Sequence, residues 1–472
     1  MIIGGLEINP GPKSPPKFSF ATFNLDSILA RDGCKLTTIE GIDSLYKFDI
    51  FGICETYLTD SISNSEIQIS GFSPDPLRAD CKQQDGRPRG GVLLYYKDHI
   101  PIKHRPDLEI IDECIVAELR IKSKKIFYIL SYRSPSQSPQ TFSSYINKLQ
   151  NLLDSIAKEN PFSIILTGDL NARSHLFWDE ELVDTPEGRS LSDLAILNGL
   201  EQIIKQPTHF PRPGIETCID HIFTNQPVSI IDSGVIPSPD PLCKHSIIYG
   251  KINLNVPSPP PYERLLWDYK KADFLKIRSS LSSINWVELF NDLAPSEMVD
   301  IFHTKFFDIM YSCIPNKNTI INERDAPWIT PEVKTALRKN KRVFKKWIDR
   351  GRPEEGKALV NQTQRETNKI ILERKQAYAN ELGDKICNPR TGPKCFWTAF
   401  KKLINNKKIC NIPPLIESDK YISNFKEKSD IFNNYFAIQC RPLETDSVLP
   451  DNLPLRTPNT LPCININKTK II

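Results

Sequence analysis

The stretch Phe162-Ser163-Ile164-Ile165-Leu166-Thr167-Gly168-Asp169-Leu170-Asn171-Ala172-Arg173 decides how this chain is read. Its first half is a β-branched, apolar run of the kind that fills a buried strand, and its end is polar. Side chains two apart on a strand share one face, so Asp169 and Asn171 are expected to point into one space at the strand mouth. A carboxylate and an amide so placed can hold a water molecule beside a phosphate.

Working outward, the same design recurs through the first half of the chain. The apolar run Ile50-Phe51-Gly52-Ile53-Cys54 ends in Glu55, and Asn24, Tyr132, Asp220 and His245 add polar residues in an ordered series. Strand patterns cover residues 17–24, 50–55, 90–96, 113–121, 125–132, 162–169, 221–223 and 246–254. Helical patterns fall between some of them, at 36–46, 141–158 and 187–198. In the second of these, Phe142, Tyr145, Ile146, Leu149, Leu152 and Leu153 repeat at i, i+3/i+4 and form one buried stripe. Hairpin-like neighbours mixed with helices predict an α/β fold: a two-layered β-sandwich flanked by helices, followed by a mostly α-helical basic region.

A chain of 472 residues exceeds one ordinary domain, and 39% hydrophobic with 25% charged residues suits a globular protein. No apolar stretch approaches the roughly 18 residues that span a bilayer, and the start, Met1-Ile2-Ile3-Gly4-Gly5, lacks the form of a secretory signal. The twelve cysteines are scattered without a Cys-x-x-Cys pair. Reduced thiols in a nuclear or cytoplasmic protein are therefore expected, with no membrane association. Charge is divided unevenly: residues 1–256 hold 25 Lys+Arg against 32 Asp+Glu, and residues 257–472 hold 36 against 25. The acidic half suits carboxylates gathered around a cation, and the basic half suits a polyanionic partner.

The proline run after Val256 marks the clearest boundary. The expected organisation is a flexible segment 1–16, a first α/β domain 17–256, a Pro-rich linker 257–262, a helical basic region 263–440 and a disordered tail 441–472. Thr330-Pro331-Glu332 has the form of a helix start. The helix it opens carries Arg338, Lys341, Arg342 and Lys345, candidate contacts to nucleic-acid phosphates or a solvated face. Further helices are expected at 360–382, 396–404 and 424–436, with Trp347 and Trp397 as core anchors.

Phosphodiester hydrolysis needs a cation on the phosphate, an activated water and a stabilised leaving oxygen. Glu55 supplies a hard oxygen of the kind Mg²⁺ prefers, and Asp169 can orient or deprotonate the water with Asn171 beside it. Asp220 can accept from the His245 ring and fix its tautomer.

These residues in this order resemble the endonuclease/exonuclease/phosphatase superfamily, with its apurinic-endonuclease-like and DNase I-like members. The match is closer to the endonuclease of non-LTR retrotransposon polyproteins, and it extends into the region that precedes the reverse transcriptase, before which the sequence is expected to stop. Leu266-Trp267-Asp268-Tyr269, Ala326-Pro327-Trp328-Ile329-Thr330 and Asn433-Asn434-Tyr435-Phe436 carry that part of it. The resemblance implies that Glu55 and Asp26 hold the metal, and that Asn24 and Tyr132 contact the scissile phosphate. It implies that Asp169 and Asn171 position the water, and that Asp220 holds the catalytic His245. Arg133, in Tyr132-Arg133-Ser134-Pro135, falls in the family's Tyr-Arg-Pro-Pro turn and is a further candidate contact to nucleic acid. The implied activity is Mg²⁺-dependent nicking of DNA, with Mn²⁺ able to substitute, leaving a 3′-hydroxyl for target-primed reverse transcription. DNA is the implied partner, the element's RNA a second one, and no small-molecule cofactor is expected.

One position departs from the pattern: the family ends its site with Ser-Asp-His, and this chain has Cys243-Lys244-His245. At about 5 Å and an effective dielectric near 20, one unit of charge is worth roughly 3 kcal/mol, and the swap moves two. Lys244 either weakens the cation, turns outward, or meets a substrate phosphate. A nucleic-acid-binding remnant impaired by Lys244, and a phosphatase or phosphodiesterase of the same fold, are the alternatives left open.

Overall fold

Each polar-ended apolar run becomes a strand. In the computed structural model the described residues are 17–30, 34–81, 89–121, 123–135, 137–212, 214–256, 262–321, 326–403, 412, 415–417, 420–422 and 425–439. The expected N-terminal segment 1–16, most of the proline linker and the expected tail from 441 lie outside them.

The chain begins with β1 (Lys17–Asn24), α1 (Cys34–Tyr46) and β2 (Ile50–Cys54), the two strands parallel. β3 (Leu77–Ala79) and β4 (Val92–Tyr96) extend that sheet antiparallel. β5 (Ile102–His104), β6 (Cys114–Ile121) and β7 (Lys124–Ser131) form a meander, from which α2 (Pro139–Ala157) leads to β8 (Ser163–Asp169), parallel to β7. Next come α3 (Pro186–Leu197), β9 (Glu201–Gln202) and a small hairpin of β10 (His209–Arg212) and β11 (Ile215–Thr217). β12 (Asp220–Thr224), β13 (Ile230–Ile236) and β14 (Ile247–Asn255) complete the two sheets.

The first sheet has the order β13-β14-β1-β2-β4-β3 and the second β5-β6-β7-β8-β12-β9. Phe18, Phe20, Ile50, Leu94, Ile115, Tyr128, Leu130, Ile165 and Ile248 fill the space between them. The alternate residues point outward and are buried too. Ala21, Phe23, Phe51 and Ile53 pack under Ile39 and Ile42 of α1, while Phe127, Ile129, Leu166 and Phe223 pack under the Phe142–Ile156 stripe of α2. Covering both faces of each sheet is why β2 reads as an unbroken apolar run and why even Ser19 and Thr22 of β1 are buried. α2 and α3 start alike, with Ser138 or Thr185 as N-cap, its side chain accepting from the backbone N–H of Thr141 or Gly188, and proline next.

Gly168 fits for a specific reason. Its φ is +150°, and a Cβ there would lie 1.7 Å from the Ser131 carbonyl oxygen on β7. A residue with a side chain at this position would force β7 and β8 apart just before Asp169. Beneath the same mouth the Thr22 hydroxyl meets those of Thr167, at 2.9 Å, and Tyr128, at 3.3 Å, which joins the sheets through buried polar contacts.

β13 was not legible in the sequence pattern. Its Asp232-Ser233-Gly234 interior has the composition of a turn, and among the described residues it pairs only with β14, with a register shift.

Beyond the proline run, β15 (Tyr262–Trp267) pairs with β16 (Asn316–Ile321), and α4 (Phe274–Ser282), α5 (Trp286–Leu289) and α6 (Pro295–Cys313) lie between them in sequence. α7 (Pro331–Asp349), α8 (Glu354–Cys387) and α9 (Pro393–Leu403) follow, with Thr330 capping α7 as its sequence requires. α7 and α8 lie against α1: Val333, Leu337 and Ile371 cluster with Trp328 and Leu45, and a Cβ on Gly41 would sit 3.7 Å from Ile371. Trp347 is buried, but Trp397 is exposed, so only the first is a core anchor. β17 (Leu415–Glu417) and β18 (Lys420–Ile422) form a short hairpin. Residues 1–424 make one compact unit; residues 425–472 make another, in which α10 (Phe425–Gln439) is described. Among the described residues no helix is long and apolar enough to cross a membrane.

Candidate active site

Three strands of the two sheets end at one place, and each delivers a polar residue there. Asn24 ends β1, Glu55 follows β2 and Asp169 ends β8. The Asn24 amide donates to Glu55 Oε1 and to Asp169 Oδ2, both at 2.8 Å, so a neutral group separates two carboxylates that would otherwise repel. His245 lies just before β14, and its Nδ1 is 3.0 Å from Asp220 Oδ2 at the start of β12. Its Nε2 is 4.0 Å from Asp169 Oδ2.

These contacts set the charges. Burial and the Asp220 carboxylate push the Asp169 carboxyl up to about 7, against the pull of His245 and Asn24. Burial opposes a charge on His245, but Asp220, Asp169 and Glu55 outweigh it and raise its pKa to about 9. Tyr132 lies against the same carboxylates, and burial together with Glu55 and Asp169 pushes its phenol far above the usual range. It remains a donor. The backbone N–H of Asn171 donates to Asp169 Oδ1 at 3.1 Å, while its side-chain amide donates to the Arg133 carbonyl at 2.8 Å. Asn171 therefore steadies Asp169 through its backbone.

Asp26 lines the same cleft as Tyr132. The Tyr57 hydroxyl lies 3.0 Å from Asp26 Oδ1 and 2.9 Å from Glu55 Oε2 and shares its one proton between them, so these two carboxylates face a common point. Hard oxygens converging on one atom fit a divalent cation such as Mg²⁺. Asp169, Asp220 and His245 also bring ligand atoms within 4.8 Å of one another, but there the carboxylate of Asp220 and the ring of His245 already engage each other. Asp26, Glu55, Tyr57, Glu113, Tyr132 and Ser134 line a cleft of about 750 Å³. Asp26, Glu55, Tyr57 and Asn171 all have φ between +48° and +55°, a conformation that costs free energy for residues other than glycine and is commonly retained at functional sites.

The other expected residues are placed as follows. Arg133 is buried, and its guanidinium donates to the carbonyls of Leu170, Ser134 and Asn171; it secures the loop after β8 rather than facing solvent. Lys244 is exposed, its carbonyl accepts from the Phe210 N–H at 2.9 Å, and its charge is felt at His209. Arg338, Arg342 and Lys345 are exposed on α7, whereas Lys341 turns toward the sheet-covering helix and sits 4.6 Å over the Tyr46 ring.

Two residues of the cleft escaped the sequence reading. Tyr57 and Glu113 line the cleft, and the Glu113 carboxylate binds the Gly91 N–H at 2.8 Å. His209 lies with its ring centroid 4.4 Å from that of His245. Burial and the charge on His245 lower the His209 pKa to about 4, so a neutral ring faces a charged one. His221 is fully buried, with Nε2 2.9 Å from the Ala172 carbonyl and Nδ1 3.1 Å from Gln202 Nε2, and is structural.

Residues 126–249 match the sequence family described as endonuclease-reverse transcriptase, a span that includes Tyr132, Asp169, Asn171, Asp220 and His245. Among solved structures, the endonuclease domain of TRAS1, a telomere-specific non-LTR retrotransposon, is 18% identical, over 51% of this chain and all of its own, with a TM-score of 0.39. A 3′ phosphatase from Neisseria bound to product DNA hairpin is 15% identical over 50% of this chain and 99% of its own, with a TM-score of 0.39. An AP endonuclease from Leishmania major is 14% identical over 50% and 87%, with a TM-score of 0.40. No curated protein matches the chain.

Proposed function

We propose that this protein is a divalent-metal-dependent endonuclease that nicks one strand of DNA by hydrolysis, in the manner of retrotransposon endonucleases. One observation carries the reading: the Asn24 amide joins Glu55 and Asp169 where three strands end, with the charged Asp220–His245 pair beside them. A water-activating carboxylate, a ligand carboxylate and a cationic acid are the parts phosphodiester hydrolysis needs.

In this reading Glu55 and Asp26 hold the cation, which when bound supplies positive charge to the phosphate oxygens and the leaving oxygen. Asp169, with its carboxyl near 7, takes the proton of the attacking water while the Asn171 N–H fixes its orientation. Asn24 and Tyr132 donate toward the phosphate. His245, protonated at neutral pH, neutralises the developing charge, and Asp220 holds it in place. Exposed Arg338, Arg342 and Lys345 are proposed contacts to the DNA backbone, and the 3′-hydroxyl product and its priming role belong to the same proposal.

The impaired-remnant reading rests on Lys244 alone. Its exposure favours an outward side chain and a working site. The test is nicking of supercoiled plasmid by the full chain with Mg²⁺ or Mn²⁺, beside Asp169→Ala and Lys244→Asp. Nicking that disappears in Asp169→Ala supports the endonuclease. Activity that arises only in Lys244→Asp supports the remnant, and DNA binding without cleavage by either would overturn the proposal.

A further inference from the structure

The β10–β11 hairpin carries His209 onto His245. Its pairing sets His209 opposite Thr217, and His209 Nδ1 lies 3.1 Å from the Thr217 hydroxyl. The preceding residue, Thr208, receives the N–H groups of Ile219 and Asp220 on its hydroxyl and that of Ser246 on its carbonyl. One short segment thus touches the backbone on both sides of the Asp220–His245 pair.

A small two-stranded hairpin is marginal by itself. What steadies this one comes from more than one hundred residues downstream. The Phe210 ring packs on Phe344 at 6.0 Å and on Trp347 at 5.9 Å, both on α7. Arg352, in the turn between α7 and α8, pairs with Glu216 of β11 and with Glu180, and its guanidinium lies 5.4 Å from the Trp178 ring. That turn is itself firmly built: the Trp347 indole donates to the Pro353 carbonyl at 3.0 Å, and a Cβ on Gly356 would come within 2.7 Å of the same indole. From α8, Gln364 donates to the Ser238 carbonyl at 3.0 Å, in the loop that leads to His245.

We propose that the α7–α8 helical pair is a working part of the active site, in which Phe344, Trp347 and Arg352 act as positioning residues that hold His209 against His245. A basic helix that only binds DNA needs none of these contacts, because they face the hairpin and not solvent. The activity readout rests on the nuclease reading above; the exchange readout does not.

The test compares the full chain with Trp347→Ala, Arg352→Ala and the conservative Trp347→Phe, with Asp169→Ala as the inactive control. Plasmid nicking gives kcat and KM, and amide hydrogen exchange follows the Phe210 and Ser246 N–H groups against those of β8. The proposal expects kcat to fall about tenfold in Trp347→Ala at unchanged KM, with recovery in Trp347→Phe. Exchange at Phe210 and Ser246 should rise while β8 stays protected. A rise in KM at unchanged kcat would make α7 a DNA-binding face only and overturn the proposal, as would unaltered exchange in both alanine variants. A parent that does not nick removes the nuclease reading, and exchange alone then decides whether the brace exists.

Discussion

The side-chain amide of Asn24, on one sheet, donates to the Asp169 carboxylate, on the other, at 2.8 Å. This bond closes the sandwich at the cleft. Asn24→Ala should therefore lower nicking by about 10²-fold, comparable to loss of one donor to a transition-state charge, while stability falls by about 3 kcal/mol, since two bonds to carboxylates are lost. Steady-state nicking and denaturant unfolding of the same variant separate the two effects, and an unchanged rate would remove Asn24 from the chemistry.

The Tyr57 hydroxyl shares its one proton between Asp26 and Glu55. Tyr57→Phe removes that shared hydrogen bond and leaves both carboxylates free for a cation, whose affinity should rise about tenfold, roughly the worth of one hydrogen bond to a charged group. Calorimetric titration with Mn²⁺ measures this without reference to catalysis. Weaker binding would mean that Tyr57 organises the carboxylates instead of competing for them.

His245 is raised to about 9, chiefly by Asp220 acting against burial. A histidine whose folded pKa lies above its unfolded value contributes stability that is complete below about 6.5 and is lost as pH rises through about 9. Asp220→Asn should lower the imidazole titration and move the alkaline limb of nicking to lower pH. NMR titration of the His245 ring reads the first effect directly, and a titration unmoved by the substitution would contradict the pairing.

His221 runs the other way. Burial lowers its pKa to about 4, so the unfolded chain takes up a proton that the folded chain refuses between about 6.5 and 4. Its contribution is present above 6.5 and falls by about 3 kcal/mol across that window. Asp169, raised to about 7, gains stability over nearly the same range, so the parent alone will not reveal the effect. His221→Gln keeps a donor for Ala172 and cannot titrate. Its unfolding free energy should lose less on acidification than the parent's, and equal slopes would rule out His221.

Gly168→Ala brings a methyl group onto the Ser131 carbonyl. A loss of at least about 3 kcal/mol is expected, beyond the common range for one substitution. Urea unfolding measures it; a change below 1 kcal/mol would mean that β7 and β8 separate freely there.

The sequence pattern exposed those parts of the site that sit at the ends of apolar runs. Asn24, Glu55 and Asp169 stood out because each is a polar residue at the mouth of a strand buried on both faces. Residues whose role depends on a distant partner carried no such mark. Tyr57 reaches Asp26 only because its backbone takes φ +55°, and His209 meets His245 through a bridge between segments 36 residues apart. Arg133 had the composition of a phosphate contact, yet it lies inside, where the loop carbonyls after β8 satisfy it. The edge strand β13 was hidden by Asp232-Ser233-Gly234, since an edge tolerates turn-forming residues that a central strand does not.

The packing of α7 and α8 on α1 also governs where this chain can be cut. Leu45 and Tyr46 lie under Leu337, Ile371 and Lys341, and Lys375 binds the Thr37 hydroxyl and pairs with Glu40. A fragment ended at residue 256, where the prolines invite a boundary, would bare that side of α1 to water and leave an apolar patch prone to self-association. For expression and crystallisation, the shortest piece that keeps α1 covered runs to the end of α8 at Cys387.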